Sequence, residues 1–299
     1  MAKQFNDFGL GAKVKRLVNN DGTFNTRRVG LPVSTVNIYQ DLVKMSWVKF
    51  LTLVIFSLFL INAGFACIYY WIGVEHFGGM VKGNETDNFL QSFFFSFQTF
   101  TTVGYGHIAP RGYFLSLIAS LEAMTGLMVF AIITGLLYGR FSRPSAKILF
   151  SENMLISPLA EGGQALVFRI VNMRKSTIMD VSARVIYSYQ EKGKGRAYFA
   201  LELERSQVTL FPLNWNIVHP ITEKSPLFGK TQEELFKLDG EFIVVIKGFD
   251  DTFSQDVNAV RSYRVDEIVW DAKFDLMYET IDDHTVVLDF RKLNSYTKA

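Results

Sequence analysis

The stretch Thr102-Val103-Gly104-Tyr105-Gly106 lies between two long apolar segments and decides the fold of this 299-residue chain. Its glycines alternate with residues that carry a side chain. Because glycine has no Cβ, it adopts a positive φ without the strain that other L-residues meet there. A Gly-Tyr-Gly triplet alone also occurs in ordinary turns, so the flanking segments are needed to interpret it. In this context the alternation predicts a backbone whose successive carbonyl groups face one axis.

The two flanking segments are long enough to cross a membrane. Residues 50–73 contain no charge, and residues 112–139 contain one, Glu122. A helix of about 20 apolar residues spans the hydrocarbon core of a bilayer, which is about 30 Å thick. We therefore predict an outer helix over residues 48–73 and an inner helix over residues 112–142. A cleaved signal peptide is not expected, because 49 residues precede the first segment.

Basic residues lie before the first segment and just after the second. They are Lys3, Lys13, Lys15, Arg16, Arg27, Arg28, Lys44 and Lys49, then Arg140, Arg143 and Lys147. The connecting residues 74–111 hold two basic residues against three acidic ones. Since short cytoplasmic flanks carry the excess of Lys and Arg, both termini of this multi-pass chain are predicted to be cytoplasmic.

The composition argues against several functional classes. The formal net charge is only +2, and the basic residues cluster beside the membrane, which argues against nucleic-acid binding. The single cysteine, Cys67, excludes an intrachain disulfide and is best explained as a small packing residue. His219 and His284 lack the spacing of metal ligands, and no catalytic constellation is visible. We therefore expect neither an enzyme nor a cofactor.

The segment before the central stretch is predicted to be a re-entrant helix. Residues 88–100 are too few to span a bilayer and too apolar for an exposed loop. Thr86 and Asp87 are its candidate N-caps. The non-helical backbone that follows is tolerated at membrane depth only inside protein or along a water-filled path. The partly negative C-terminus of the helix would favour a cation on that path.

Residues 102–106 have the sequence of a K⁺ selectivity filter, in which backbone carbonyls replace the hydration shell of the ion. We predict that Thr102, Val103, Gly104 and Tyr105 donate these carbonyls to K⁺. The Thr102 hydroxyl would add the innermost ring, and the Tyr105 ring would brace the filter from behind. One chain supplies one strand and a complete filter has four, so a symmetric homotetramer is predicted.

The inner helix carries further candidate residues. Gly126 marks either a bend, and hence a hinge, or a close approach of another helix. Phe130, Thr134 and Tyr138 follow one another at intervals of four residues on one helix face, and four copies of them would form a gate that closes by dewetting. Glu122 is predicted to be a buried brace near the filter, with direct ion binding as the alternative.

Six blocks of sequence carry a family resemblance. They are residues 39–47, 97–106, 138–144, 169–174, 219–227 and 266–270. Through them the chain resembles the inward-rectifier potassium channels, and more closely their bacterial branch, usually called KirBac. The resemblance implies a tetrameric pore in the cell inner membrane, a slide helix on the inner membrane face, and a cytoplasmic immunoglobulin-like β-sandwich.

The chain departs from the family pattern at three points. Gln98 and Ile108 stand where many eukaryotic members pair a glutamate with an arginine, so that ion pair is absent. Phe130 stands at the position of the acidic residue that favours polyamine block, which argues against strong inward rectification. The extracellular cysteine pair of animal members is also missing. All three departures point toward a bacterial protein.

Residues 145–299 are predicted to form one β-rich domain. Segments rich in Val, Ile, Phe and Tyr predict strands at residues 164–172, 178–190, 196–203, 241–250 and 285–290. A single helix is expected at residues 230–238, opened by a capping box of Thr231 and Glu234. The predicted fold class is therefore an α+β membrane protein with a two-helix pore, a re-entrant pore helix and a β-sandwich.

The slide helix is predicted at residues 34–47, after a cytoplasmic segment of residues 1–33. Apolar residues recur there at helical spacing, which suits a helix lying in the membrane interface. Packing on the cytoplasmic domain is the alternative. Four residues are predicted to contact anionic lipid and couple its charge to the gate, with plain positive-inside topology as the alternative for any one of the basic residues. They are Trp47, Arg140, Arg143 and Lys147.

The sequence thus predicts a passive K⁺-selective channel with K⁺ as the permeant ion, gated by the inner-helix bundle and the cytoplasmic domain and modulated by lipid. The alternative is a non-conducting membrane receptor whose β-sandwich binds a ligand, but it leaves the filter and pore helix unexplained. A subunit of a potassium uptake transporter usually carries four degenerate filter repeats, whereas this chain has one intact filter.

Overall fold

A computed structural model describes residues 16, 18–19, 22–23, 25, 37–142, 146–160, 162–174, 176–190, 196–211, 213–282 and 285–299. The chain divides into two compact units. The helical unit is Gly30–Arg143. The β unit combines Met1–Val29 with Pro144–Ala299.

In its described residues, the helical unit has four α-helices and a two-stranded ladder. The helices are α1 Ile38–Lys44, α2 Trp47–Ile72, α3 Glu85–Phe100 and α4 Tyr113–Phe141, with a 3₁₀ turn at Val74–His76. Strands β1 Phe77–Gly78 and β2 Ala109–Pro110 pair antiparallel. Among the described residues, α2 and α4 are the two helices long and apolar enough to cross a membrane. The re-entrant helix α3 packs against both of them.

The predicted slide helix is shorter than expected. Helix α1 ends at Lys44, and the extended backbone of Met45 and Ser46 separates it from α2. Trp47 therefore begins the outer helix and does not belong to the slide helix. The break allows the chain to change direction between α1 and a spanning helix. Residues 34–36 of the predicted helix lie outside the described residues.

The re-entrant helix begins at Glu85, three residues before the predicted start at residue 88. The predicted caps Thr86 and Asp87 were wrong. Asn84 is the N-cap, and its side-chain oxygen accepts a hydrogen bond from the Asp87 backbone N at 2.8 Å. This start places two acidic residues in the first turn, where the helix dipole favours negative charge.

The β unit contains two five-stranded sheets. One has the order β11-β10-β6-β7, with β8 also paired to β6, and the other has the order β12-β4-β5-β3, with β9 also paired to β5. The pair β12 and β4 is parallel. Two further pairs are β13 with β16 and β14 with β15. The bounds are β3 Ile148–Phe150, β4 Met154–Pro158, β5 Gln164–Asn172, β6 Ile178–Gln190, β7 Arg196–Leu201, β8 Gln207–Phe211, β9 Asn214–Pro220, α5 Gln232–Lys237, β10 Glu241–Asp250, β11 Gln255–Arg264, β12 Ile268–Trp270, β13 Ala272–Phe274, β14 Tyr278–Asp282, β15 Thr285–Leu288 and β16 Tyr296–Lys298, with 3₁₀ turns at Val265–Glu267 and Phe290–Asn294.

Buried side chains from both large sheets meet in one core. Phe168 of β5 packs there with Phe242 of β10. Along β6, every second residue from Val181 to Tyr187 is buried, as the alternating sequence of that segment predicts. The predicted β-sandwich and the two-helix membrane architecture are confirmed.

Most strand predictions match the structure closely. Strands β5, β6 and β10 have the predicted bounds, whereas β7 and β15 each end two residues early. The capping box of Thr231 and Glu234 is present, although α5 itself is shorter than residues 230–238. In the N-terminal segment, Val18 is buried against the β unit, where its backbone N donates to Glu241 Oε1 at 3.2 Å.

Candidate ion-conduction site

The central stretch has a positive φ at every second residue. The φ angles are +58° at Thr102, +51° at Gly104 and +77° at Gly106. Positive φ is strained for a threonine, so the surrounding structure must hold that residue in place. Alternation between the two halves of φ space turns successive carbonyl groups toward the same side of the chain. Residues 102–106 thus have the backbone conformation that their sequence predicts, and their side chains are exposed in the single chain.

The inner end of this stretch is bonded to the last turn of α3. The Gln98 carbonyl oxygen accepts from Val103 N at 3.0 Å and from Gly104 N at 3.3 Å. The Thr99 carbonyl oxygen accepts from Thr102 N at 3.1 Å. Carbonyls at a helix C-terminus have no partner inside the helix, so these bonds satisfy them and fix the stretch to α3.

Glu122 joins all three long helices of the unit. It is fully buried in α4, and its Oε2 accepts from the Tyr69 hydroxyl of α2 at 2.5 Å. Its Oε1 accepts from the Ser96 hydroxyl of α3, also at 2.5 Å. Ser96 Oγ in turn lies 3.1 Å from the Asn62 carbonyl oxygen. Because both carboxylate oxygens already have protein donors, the geometry favours the predicted brace over direct ion binding.

Gly126 lies where α4 comes closest to the end of α3. A Cβ at this position would lie 2.0 Å from the Phe100 carbonyl oxygen. Helix α4 runs unbroken through Gly126. The close helix approach, the second of the two predicted alternatives, therefore explains the glycine, and the hinge stays a prediction.

The three gate candidates lie on the less buried part of α4. The Phe130 ring is 6.0 Å from the Phe100 ring, and its side chain is 39% exposed. Thr134 is exposed, and Tyr138 is 73% exposed. In the single chain these side chains form an uncovered stripe.

The predicted lipid-contact residues have different surroundings. Arg140 donates from Nη1 to the Leu42 carbonyl oxygen at 2.5 Å and from Nη2 to the Met45 carbonyl oxygen at 2.7 Å. Its guanidinium also lies 4.6 Å from the centre of the Trp47 ring. Arg140 is therefore bonded to the C-terminal carbonyls of α1, a contact that the sequence did not predict, and its headgroup contact stays a prediction. The reason for the observed contact is that helix-terminal carbonyls need donors and α1 ends within its reach.

The other two lipid candidates are Arg143 and Lys147. Arg143 lies outside the described residues. Lys147 belongs to the β unit, where its side chain is exposed and its φ is +42°.

Sequence reasoning missed the partners of Glu122 and Arg140. Glu122 is an isolated acidic residue in an apolar segment, and such a residue requires a hydrogen-bond partner. The hydroxyl and amide groups of the other helices were the candidate partners. The sequence offered Tyr69, Ser96 and Asn62 among many, without a pattern to select them.

His219 of the β unit has a structural role. His219 Nδ1 donates to the Glu202 carbonyl oxygen at 2.5 Å, and Nε2 accepts from the Ser225 hydroxyl at 2.8 Å. Burial lowers the pKa of His219. The other histidine named above, His284, lies outside the described residues, and no group of three or more metal-ligating side chains occurs among the residues described.

Both units match known families. Residues 148–299 match the family described as "Inward rectifier potassium channel C-terminal domain", and residues 51–143 match the family described as "Ion channel". The chain belongs to the inward rectifier potassium channels. The predicted family is thereby confirmed, and the chain is a membrane-embedded potassium channel and not an enzyme.

Inward rectifier relatives cover most of the chain. Inward rectifier potassium channel Kirbac3.1 of Paramagnetospirillum magnetotacticum is 34% identical over 289 residues, which are 95% of this chain and 96% of that protein. G protein-activated inward rectifier potassium channel 3 of Homo sapiens is 26% identical over 303 residues, 92% of this chain and 76% of that protein. The bacterial relative supports placing the chain in the bacterial branch of the inward rectifiers.

Proposed function

We propose that four copies of the chain form a passive, K⁺-selective pore whose ion ligands are the backbone carbonyls of Thr102, Val103, Gly104 and Tyr105. The observation that carries this proposal is the positive φ at alternate residues of the stretch 102–106. A ring of carbonyls around one ion needs several identical strands, and each chain supplies one. No cofactor takes part, and K⁺ is the permeant ion.

The test is cation uptake into liposomes that hold the purified protein. We expect uptake of K⁺ and Rb⁺, little uptake of Na⁺, and block by Ba²⁺. Gly104→Ala should abolish uptake because it places a side chain at φ +51°. Gly112→Ala is the matched control, since it places a side chain at a similarly strained φ of +88° outside residues 102–106 and so separates damage to the filter from backbone strain in general. If Gly104→Ala still took up K⁺ and excluded Na⁺ as well as the unaltered channel, the filter assignment would be contradicted. If the mass of the purified assembly differed from that of four chains, the tetramer would be contradicted.

The gate is proposed to lie at Phe130 and Tyr138, with Thr134 between them. In a four-fold assembly their exposed stripe would meet its own copies and form an apolar constriction. Phe130→Ala and Tyr138→Ala should each raise ion flux, measured in the same liposomes. Unchanged flux in both variants would contradict a gate at Phe130 and Tyr138 and would leave Thr134 as the next candidate.

Lipid modulation is proposed to act through Trp47, Arg143 and Lys147, with Arg140 linking α4 to α1. We place the channel in the cell inner membrane, with both termini cytoplasmic, because basic residues flank the two spans. The test compares Arg143→Gln together with Lys147→Gln against the unaltered channel in vesicles of increasing anionic lipid content. A lipid response that is identical in both proteins would contradict the proposed contacts.

A further inference from the structure

The two ends of the filter are held in different ways. At the inner end, the Gln98 and Thr99 carbonyls bond the backbone up to Gly104. At the outer end, no hydrogen bond to Tyr105 or Gly106 occurs within the described part of the single chain. Within one chain, the position of the outer end is therefore set through the residues that follow it.

Those residues are paired with the chain that leaves the outer helix. Strands β1 and β2 form an antiparallel ladder, and Arg111 N donates to the His76 carbonyl oxygen at 2.9 Å. Only two residues separate Gly106 from β2. We call the paired segments, residues 76–79 and residues 107–111, the outer strap.

Gly79 brings the outer strap directly against the peptide that follows the filter. It has φ +86°, and a Cβ there would lie 1.8 Å from the His107 carbonyl oxygen and 2.8 Å from the His107 carbonyl carbon. Both atoms belong to the backbone and cannot rotate away as the end of a side chain would. A residue larger than glycine at this position must therefore shift either its own segment or the His107 peptide, which is bonded to Gly106.

The outer strap is fixed to the same helices that hold the inner end. Phe77 is buried and makes edge contacts with the Tyr69 ring at 5.5 Å and the Phe95 ring at 5.1 Å. Phe95 belongs to α3, and Tyr69 donates to Glu122. Both ends of the filter are therefore positioned from α3, the inner end by its last carbonyls and the outer end through the Phe95 ring.

We propose that the outer strap positions the outer half of the filter and thereby sets the discrimination between K⁺ and Na⁺, with Gly79 and Phe77 as positioning residues. Selectivity depends on the number and placement of the coordinating carbonyls, so a displaced outer half discriminates less. The inference rests on the proposed assignment of residues 102–106 as the filter.

The test measures the ratio of Rb⁺ uptake to Na⁺ uptake in liposomes that hold the full-length channel. Gly79→Ala should lower this ratio at least about tenfold, which corresponds to about 1.4 kcal/mol of lost discrimination. Gly112→Ala, which carries a similar φ without a neighbouring atom, should keep the ratio of the unaltered channel. A change in the amount of folded protein alone does not alter a ratio of two ions.

An unchanged ratio in Gly79→Ala, with an unaltered channel that is selective, would overturn the inference and leave the proposed function standing. An unaltered channel that conducts without discrimination would contradict the proposed function, and the inference with it. If Gly79→Ala fails to assemble or to conduct, Phe77→Leu replaces it, because leucine keeps an apolar side chain but loses the ring contacts. A lower ratio in Phe77→Leu supports the inference, and an unchanged ratio overturns it.

Discussion

Replacing Gly126 by alanine distinguishes a close helix contact from a hinge. The added Cβ would lie 2.0 Å from the Phe100 carbonyl oxygen, whereas real contacts of this kind are longer than 3.0 Å, so the two helices must separate by about 1 Å. Overpacking of this kind costs about 1–3 kcal/mol. Alanine also gains about 1 kcal/mol of helix propensity over glycine.

Gly64→Ala is the matched control because it adds the same methyl group to α2, where no atom lies within 4 Å. The propensity gain is common to both variants, so the stability difference between them isolates the overpacking cost of about 1–3 kcal/mol. In thermal unfolding of the full-length channel in detergent, Gly64→Ala should have a higher unfolding temperature than Gly126→Ala. K⁺ flux should fall in Gly126→Ala, because Phe100 lies two residues before the filter. Equal stability of the two variants would refute the close contact of Gly126 with Phe100. If, in addition, K⁺ flux fell only in Gly126→Ala, the result would support a hinge at Gly126.

Buried polar groups give three further tests. Tyr69→Phe removes one of the two hydroxyls bonded to Glu122 and should lower stability by about 1–3 kcal/mol in thermal unfolding. Arg174→Met removes the cation paired with the fully buried Asp250 and should cost about 3–5 kcal/mol in the same assay. Because burial lowers the pKa of His219 below its usual value of about 6.5, the unfolded chain binds the proton more readily. The unfolding temperature should therefore fall as the pH is lowered below about 6.5.

Each of these tests has a control in the chain. Tyr70→Phe removes a hydroxyl that makes no hydrogen bond among the described residues, so a loss as large as that of Tyr69→Phe would contradict the brace. Lys247→Met breaks an exposed ion pair with Asp256 and should cost no more than about 1 kcal/mol. His219→Gln should reduce the pH dependence, and an unaltered profile would assign the effect to another group.

The parts of the fold that follow from local patterns were predictable. The alternation along β6 and the two uncharged segments each determine one element without reference to the rest of the chain. The helix starts were less predictable, because Asn84, Thr86 and Asp87 are all suitable caps and lie within four residues. The choice among them depends on where α3 begins to pack.

In the candidate site, the positive φ of Gly104 and Gly106 was predictable from the residue type, whereas that of Thr102 was not. The contacts around these residues were not predictable either, since Glu122 meets partners 26 and 53 residues away and Arg140 bonds a carbonyl 98 residues away. Strands β1 and β2 have two residues each, which is too short for any periodic pattern. The outer strap therefore could not be predicted from the sequence pattern.

The contacts of α4 divide this helix into a part that packs near residues 102–106 and a part that carries the proposed gate residues. Its buried residues are Leu115, Glu122 and Gly126, all in the half that packs near the filter. Beyond them no residue of α4 is buried in the single chain, and Arg140 bonds the helix to α1. A movement of α1 therefore reaches Tyr138, two residues before Arg140, without passing through the filter.

Arg140→Lys tests this division because it keeps the charge and removes the planar group that bonds two carbonyls at once. We expect total K⁺ flux to change while the ratio of Rb⁺ to Na⁺ uptake stays constant. Gly79→Ala should instead lower the ratio of Rb⁺ to Na⁺ uptake, since it acts on the end of the filter. If Arg140→Lys altered the ratio as strongly as Gly79→Ala, the two halves of α4 would not act separately. A constant ratio with altered flux would show that one helix holds the filter rigid at one end and transmits gating movement at the other.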